Sequence, residues 1–449
     1  MNFKAVSRRG FLKGIAAMGT ISVVAACVPA SQQGGAAAPA AGDQAAVPAA
    51  EQTTVRLLTT HGATMAPFIA TSLENFSAAN PTIKVEHEDL TQGYYDRLNV
   101  MLASDTLPDV VNLRSFDMYD WYRLGNLHSV SPFLEADPDL KPEDLVDAIL
   151  QSCSFEGEYW GLPYDASVMI FYYNKTLFDA AGVAYPQDNW TWDDMVGIAQ
   201  SLTDADQQNW GFARFPGISD WQAEPWYLSN GAHIINEERT EWTLVGPEAE
   251  ETLQFLIDLA QKSKVAPPPE AQSDLNLFVI GKGAIYSAGQ WEIPGNRDAI
   301  KDFEWDVVAY PTGPAGHNPI THGGTYVMNA KTQVPEAAWQ IQKWICAGED
   351  WQANVYGASG YSIPSLKAVS ESAWLAPLEN EGKPPAHAQV VLDELSKAVP
   401  GSLWPNYQKI ASIMSEEMER VQLGDATVAE GLQSLKTRAD EAIQEAINS

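Results

Sequence analysis

Apolar residues recur along this chain in two alternating rhythms, one of period two and one of period near 3.6. Thr53 to Leu58 is rich in β-favouring side chains and predicts an opening strand. A helix follows from about Pro67, with Ile69, Leu73 and Phe76 on one face and Asn80-Pro81 as its stop. Ile83, Val85 and His87 alternate as a half-exposed strand, and Tyr94, Leu98 and Met101 mark the next helix. Asp109 to Leu113 reads as a buried parallel strand, and Phe155 to Tyr159 as a hairpin turning at Gly157. Val168 to Tyr173 is a third buried strand, leading through Asn174-Lys175 into a short helix that Gly182 caps. A capping box, Thr191 to Asp194, opens a helix carrying Met195, Ile198, Ala199 and Leu202, and Pro247 opens another with Leu253, Leu256, Ile257 and Ala260. Ala284 to Ser287, Trp305 to Ala309 and Thr325 to Met328 read as strands, and Pro335 starts a helix through Ile341 and Ile345. The last hundred residues are mostly helical, including Ile410 to Val421 and a final helix behind the box Thr427 to Glu430. Strands interleaved with helices predict an α/β architecture, and no internal repeat is present.

The first 52 residues follow neither rhythm. Ser7-Arg8-Arg9-Gly10-Phe11-Leu12-Lys13 matches a bacterial twin-arginine export signal, and the apolar stretch Gly14 to Ala26 is too short to span a bilayer. It ends in Val24-Ala25-Ala26-Cys27, which resembles a lipobox, so residues 1–26 are expected to be removed and Cys27 lipidated. Residues 27–52 are Ala, Gly, Pro, Gln and Ser with almost no large apolar side chain; a flexible coil of that length reaches roughly 25–30 Å, enough for a tether. The protein is therefore expected to work outside the cytoplasmic membrane, anchored to it by lipid.

Charge narrows the ligand. The chain carries 27 basic and 58 acidic residues; removing Lys4, Arg8, Arg9 and Lys13 with the signal leaves 23 against 58, a balance of −35. That excludes nucleic acid, whose affinity rests on Lys and Arg, and argues against capture of an anion by long-range attraction. Cys153 and Cys346 are the thiols of the exported part, and either a disulfide or two lone buried thiols fits an exported protein. Enzyme signatures are missing: no G-x-S-x-G elbow, no phosphate-cradling loop, no H-E-x-x-H, and seven scattered His residues with no metal-binding pair, so neither cofactor nor metal is expected. Gly281-Lys-Gly283 reads as a turn entering a strand. Asp204-Ala-Asp206 with Asn209 shares part of a calcium-loop pattern but lacks the Glu at its twelfth position, where Phe215 stands, and reads as a polar turn.

Several stretches resemble the solute-binding proteins of ABC importers, in the carbohydrate-binding family that includes maltose-binding protein. The most specific are Tyr159-Trp-Gly-Leu-Pro163, then Phe171-Tyr-Tyr-Asn-Lys175 with Phe178 and Ala181-Gly182, then Pro186 and Thr191-Trp192-Asp193. Leu107 to Val110, Phe278 to Ala284 with Gly289-x-Trp291, Pro311 to Gly316, Gly323-Gly324-x-x-Val327 and Gly424 to Thr427 support it, so the resemblance covers essentially residues 53–449. It implies a two-lobe fold like that of periplasmic binding proteins, with a hinge crossed more than once. Lobe 1 would hold 53–166 and 313–366 and lobe 2 would hold 167–312 and 367–449, with crossings at Pro163 to Val168 and near Gly313. Cys346 departs from the pattern and has no assigned role.

In open α/β sheets, loops at the carboxyl ends of strands face the ligand crevice. Arg114, after the third strand, is a multi-donor fork suited to sugar hydroxyls or a surface ion-pair former. Tyr164 and Asp165 follow the Gly-Leu-Pro turn, and a carboxylate accepts from two adjacent hydroxyls. A pyranose has an apolar face and a polar rim, so it calls for a flat aromatic: Trp226, in the stretch Trp221 to Tyr227, and Trp291 are the first candidates, with Tyr361 and Trp404 after them. Gly324 would let a ligand approach the backbone closely, and His61 is a weaker candidate. Each Trp also fits a core role.

The expectation is a monomeric receptor that binds a mono- or oligosaccharide between its lobes and delivers it to an ABC permease, without catalysis. The rivals are a receptor for glycerol phosphate or another polar solute, which needs a basic pocket; a lipid-anchored glycoside hydrolase, which needs two opposed carboxylates; and a structural lipoprotein with no ligand.

Overall fold

The computed structural model describes residues 52–448 apart from 63–64, 205, 207, 215–220 and 268–275. The twin-arginine segment, Cys27 and the tether up to residue 51 lie outside the described residues.

Among the described residues, fourteen strands and the helices between them build two large sheets and one small hairpin. The first sheet has the order β2-β1-β3-β12-β6. It is made of β1 (Thr53–Thr59), β2 (Ile83–Asp89), β3 (Val110–Arg114), β6 (Leu162–Pro163) and β12 (Gly324–Met328). β2 and β3 lie parallel to β1, while β12 runs antiparallel to β3, placing Gly324 opposite Arg114. β4 (Ser154–Phe155) and β5 (Glu158–Tyr159) form the expected hairpin, with Gly157 at φ 82°. The second sheet has the order β14-β11-β7-β9-β8, with β10 and β13 also pairing β7. Its members are β7 (Asp165–Asn174), β8 (Trp210–Phe212), β9 (Gly283–Gly289), β10 (Trp305–Val308), β11 (Ile320–His322), β13 (Ile363–Pro364) and β14 (Val399–Pro400).

Local chemistry explains these elements. β7 is covered on both faces, so it reads Val-Met-Ile-Phe-Tyr-Tyr without polar alternation. Asn174 caps the helix Lys175–Ala181 by accepting from the Leu177 N–H, and Gly182 ends it at φ 66°. Both capping boxes form: Thr191 with Asp194, and Thr427 with Glu430. The helices Ala66–Ala79 and Pro335–Ala347 cover one face of the first sheet, where Val55, Leu57, Ile69, Phe76, Val110, Ile341 and Ile345 make a core. A second core joins Val168, Ile170, Tyr172, Tyr286, Trp305 and Trp374 on one face of the β7 sheet.

The chain passes between the sheets with almost no slack. It leaves the first at Pro163 and enters the second at Asp165; it leaves the second at His322 and returns to the first at Gly324. One carboxylate ties these crossings together: Asp165 accepts from the Gly324 N–H at 2.5 Å and from the Ser362 hydroxyl at 2.7 Å, just before β13. Cys153 and Cys346 are buried free thiols, which decides between the two expectations for them.

Candidate functional site

A cavity of about 850 Å³ opens where these crossings meet, within the range of small-molecule sites of about 300–1,000 Å³. Its wall is assembled from strand ends: Thr60 and His61 after β1, Arg114 at the end of β3 and His322 at the end of β11 follow the carboxyl-end rule, while Asp165 at the start of β7 and Gly324 at the start of β12 reach it because those strands run antiparallel to β11 and β3. Tyr94 and Tyr95 reach it from the helix Tyr94–Ala103, and Trp221, Trp291 and Tyr361 from the side of the second sheet.

The aromatic wall is held from behind. Trp291 sits just before the helix Glu292–Ala299 with its ring laid over Gly289; a Cβ added there would lie 1.8 Å from the indole Cζ3. Trp221 meets it with ring centroids 5.8 Å apart and also contacts the His322 ring at 5.1 Å. Both indoles are half-buried, so each has surface left for a ligand. Tyr164 stacks on Tyr356 at 4.8 Å and lies against Gly324, where a Cβ would come within 2.0 Å of its Cε1. Tyr361, 53% exposed, stands at the rim.

The polar groups differ in how committed they are. The Arg114 guanidinium lies over the rings of Tyr95 and Phe116, at 5.7 and 5.6 Å, and makes no hydrogen bond or ion pair with a described residue. Burial pushes the Asp165 carboxyl up to about 6, opposed by its bonds from Gly324 and Ser362 and by Arg114. Asp117, behind Phe116, is likewise raised by burial to about 6. His61 is lowered to about 4 by burial, and its Nε2 lies 2.8 Å from the Tyr326 hydroxyl and 3.2 Å from that of Tyr356. The His322 Nδ1 meets the Ser115 hydroxyl at 3.1 Å, while its Nε2 has no hydrogen-bond partner among the described residues, the Glu224 carboxylate standing off at 3.9 Å.

Arg114, Tyr164, Asp165, Trp291, Gly324 and Tyr361 all line this cavity, with His61 beside them. Two expectations need correction. Trp226 is fully buried, wedged among Phe171, Trp192 and Tyr310, because its face of the helix Glu224–Ser229 turns into the core. Trp404 is 1% exposed, stacked on Tyr407 at 4.9 Å and edge-on to Trp242, so it anchors the C-terminal helices. Gly324 gives room to the Tyr164 ring, where closeness to a ligand had been expected. Sequence reasoning passed over Trp221, Tyr95, Phe116 and His322. His322 directly precedes Gly323-Gly324, and that position at a strand end was the available signal. Among the described residues no cluster of three or more His, Cys, Asp or Glu could hold a metal ion.

Comparison with known proteins adds to this geometry. The family model for bacterial extracellular solute-binding proteins matches residues 71–384. A binding protein of Brucella abortus is 23% identical over 389 residues, covering 85% of this chain and 90% of its own. An arabinooligosaccharide-binding protein of Halalkalibacterium halodurans is 28% identical over 251 residues, 52% of this chain and 55% of its own. Among solved structures, an ABC substrate-binding protein of Listeria monocytogenes in complex with cycloalternan superposes with a TM-score of 0.77 at 25% identity, covering 88% of this chain and 99% of that one.

Proposed function

This chain belongs to the family of bacterial extracellular solute-binding proteins, and from that premise we propose that it captures a sugar between two lobes and delivers it to an ABC permease. The observation that carries the reading is the cavity itself: two half-buried indoles, Trp221 and Trp291, share it with Arg114, Asp165 and His322, drawn from both sheets. The indoles suit the apolar face of a pyranose and the polar groups its hydroxyl rim. The arabinooligosaccharide-binding protein of Halalkalibacterium halodurans and the cycloalternan complex of the Listeria protein point the same way.

We take the two sheets as the cores of the lobes and the crossings at Pro163–Asp165 and His322–Gly324 as the hinge. β11 pairs β7 in antiparallel fashion, which supports putting the second crossing at 322–324, later than a boundary near Gly313. Ligand touching both walls favours the closed form in proportion to its extra contacts there, and the closed form is what the permease engages. Stacking with several hydrogen bonds supports micromolar affinity, roughly −8 kcal/mol. Calorimetric titration with mono- and oligosaccharides, together with mass spectrometry of co-purified ligand, tests the reading; no heat from any saccharide would overturn it.

Catalysis is not part of the proposal. A glycosidase needs two carboxylates flanking the bond it cleaves, and among the described lining residues Asp165 is the one carboxylate. Export by the twin-arginine route and anchoring through Cys27 belong to the same proposal. Cys27→Ala is expected to move the protein from the membrane fraction to the soluble one, and its retention would count against the anchor.

A further inference from the structure

The cavity's charge is out of step with the chain around it. The protein has 58 acidic residues against 27 basic, yet among the described lining residues Asp165 supplies the one carboxylate. Both of its oxygens already accept hydrogen bonds from within the protein. A neutral polyol is held best by charged acceptors, because its hydroxyls donate strongly to them. Each oxygen of this acceptor is thus already half committed at the hinge, with one lone pair left for a ligand hydroxyl.

The cavity also offers a donor. Arg114 is exposed to the cavity, and its guanidinium is fixed over Tyr95 and Phe116 without an ion pair to any described residue. Ring faces orient the cation and leave its N–H groups unspent. The guanidinium is close enough to Asp117 and Asp165 to counter part of their burial, but it bonds to neither. A planar fork with free N–H groups matches a carboxylate through two parallel hydrogen bonds. No lysine lines the cavity among the described residues, so a phosphate would find a single cation and lack the several donors its oxygens accept.

We propose that the saccharide selected by this cavity carries a carboxylate, as in a uronic acid, seated on the Arg114 guanidinium. The proposal rests on the sugar-receptor reading above. The acidic surface gives no long-range attraction to such a ligand, so discrimination is local to Arg114.

The test titrates the full chain calorimetrically with uronate disaccharides (galacturonate, glucuronate and mannuronate), with their neutral counterparts and with glycerol phosphate, for the unaltered protein, Arg114→Gln and Arg114→Lys. At least one uronate is expected to bind tenfold or more tightly than its neutral counterpart. Arg114→Gln should erase that preference, and Arg114→Lys should reduce it at least threefold, since the charge stays and the fork is lost. Arg114→Gln also removes the cation from the Tyr95 and Phe116 rings and from beside Asp117 and Asp165, so melting curves accompany each titration; if it melts early, the Lys variant decides. Neutral saccharides binding as tightly as uronates, or an Arg114→Gln variant that weakens acid and neutral sugars equally, overturns the proposal and leaves the sugar receptor standing, whereas glycerol phosphate binding best overturns both. Binding of nothing in the panel overturns the proposal, and no heat from any mono- or oligosaccharide in the wider titration overturns both.

Discussion

Trp291→Ala is the perturbation with the sharpest expectation. Large aromatic side chains bury about 150–250 Å² when covered. A pyranose on one face of the half-buried Trp291 ring would cover about a third of that, roughly 60–80 Å², which at about 25 cal/mol/Å² is worth roughly 1.5–2 kcal/mol. At about 1.4 kcal/mol per tenfold, the saccharide Kd should rise by about 10–30-fold. The close approach of Gly289 to the ring provides a second route to the same effect: Gly289→Ala puts a methyl group 1.8 Å from the indole Cζ3, so the ring must leave its seat although the residue is still present. Titration calorimetry on both variants, with melting curves recorded in parallel, is the assay. A Trp291→Ala protein that melts normally and binds within twofold of the unaltered protein would refute the stacking argument.

The remaining predictions use the same reasoning. Trp226→Ala should cost about 3–5 kcal/mol of stability, as truncation of a buried aromatic does, with an effect on affinity secondary to that loss. Gly324→Ala should force the Tyr164 ring away, lowering both melting temperature and affinity, since the added Cβ would lie 2.0 Å from that ring. Asp165 takes up a proton near pH 6 when folded and near 3.8 when unfolded, so acid favours folding and its contribution declines as pH rises between those values, by on the order of 2–3 kcal/mol. His61 runs the other way: its proton is held near pH 4 in the fold against 6.5 unfolded, so stability falls as pH drops through that window. Melting across pH 3.5–7.5 should therefore change shape in opposite directions for Asp165→Asn and His61→Gln; identical profiles would contradict both assignments.

How far the chain could be read from its residues depended on the length of each pattern. Long periodic segments carry enough apolar positions to fix their type, so β7, the helix Pro247–Gln261 and the helix Pro335–Ala347 were legible, as were both capping boxes. β6, β13 and β14 have two residues each and are defined by their partners, so no local period announces them. The two π-helical stretches, Gln352–Gly357 and Ser370–Leu375, are likewise products of packing. At the site, residues at strand ends and beside the Gly-Leu-Pro turn could be placed in the cavity because topology sends strand ends there. Tryptophans could not be sorted the same way. Trp221 and Trp226 are five positions apart on one short helical segment, and the first faces the cavity while the second faces Phe171 and Tyr310. That difference is a rotation about the helix axis: five residues at about 100° each put the two rings roughly 140° apart, and no period in so short a segment says which of them faces the core.

The most direct measurement is a crystal structure of the protein with bound saccharide. The account predicts a pyranose lying flat on the indole of Trp291 or Trp221, its polar rim within hydrogen-bond reach of Arg114, and contacts drawn from both sheets. A sugar seated outside this cavity, or touching residues of one sheet alone, would contradict it.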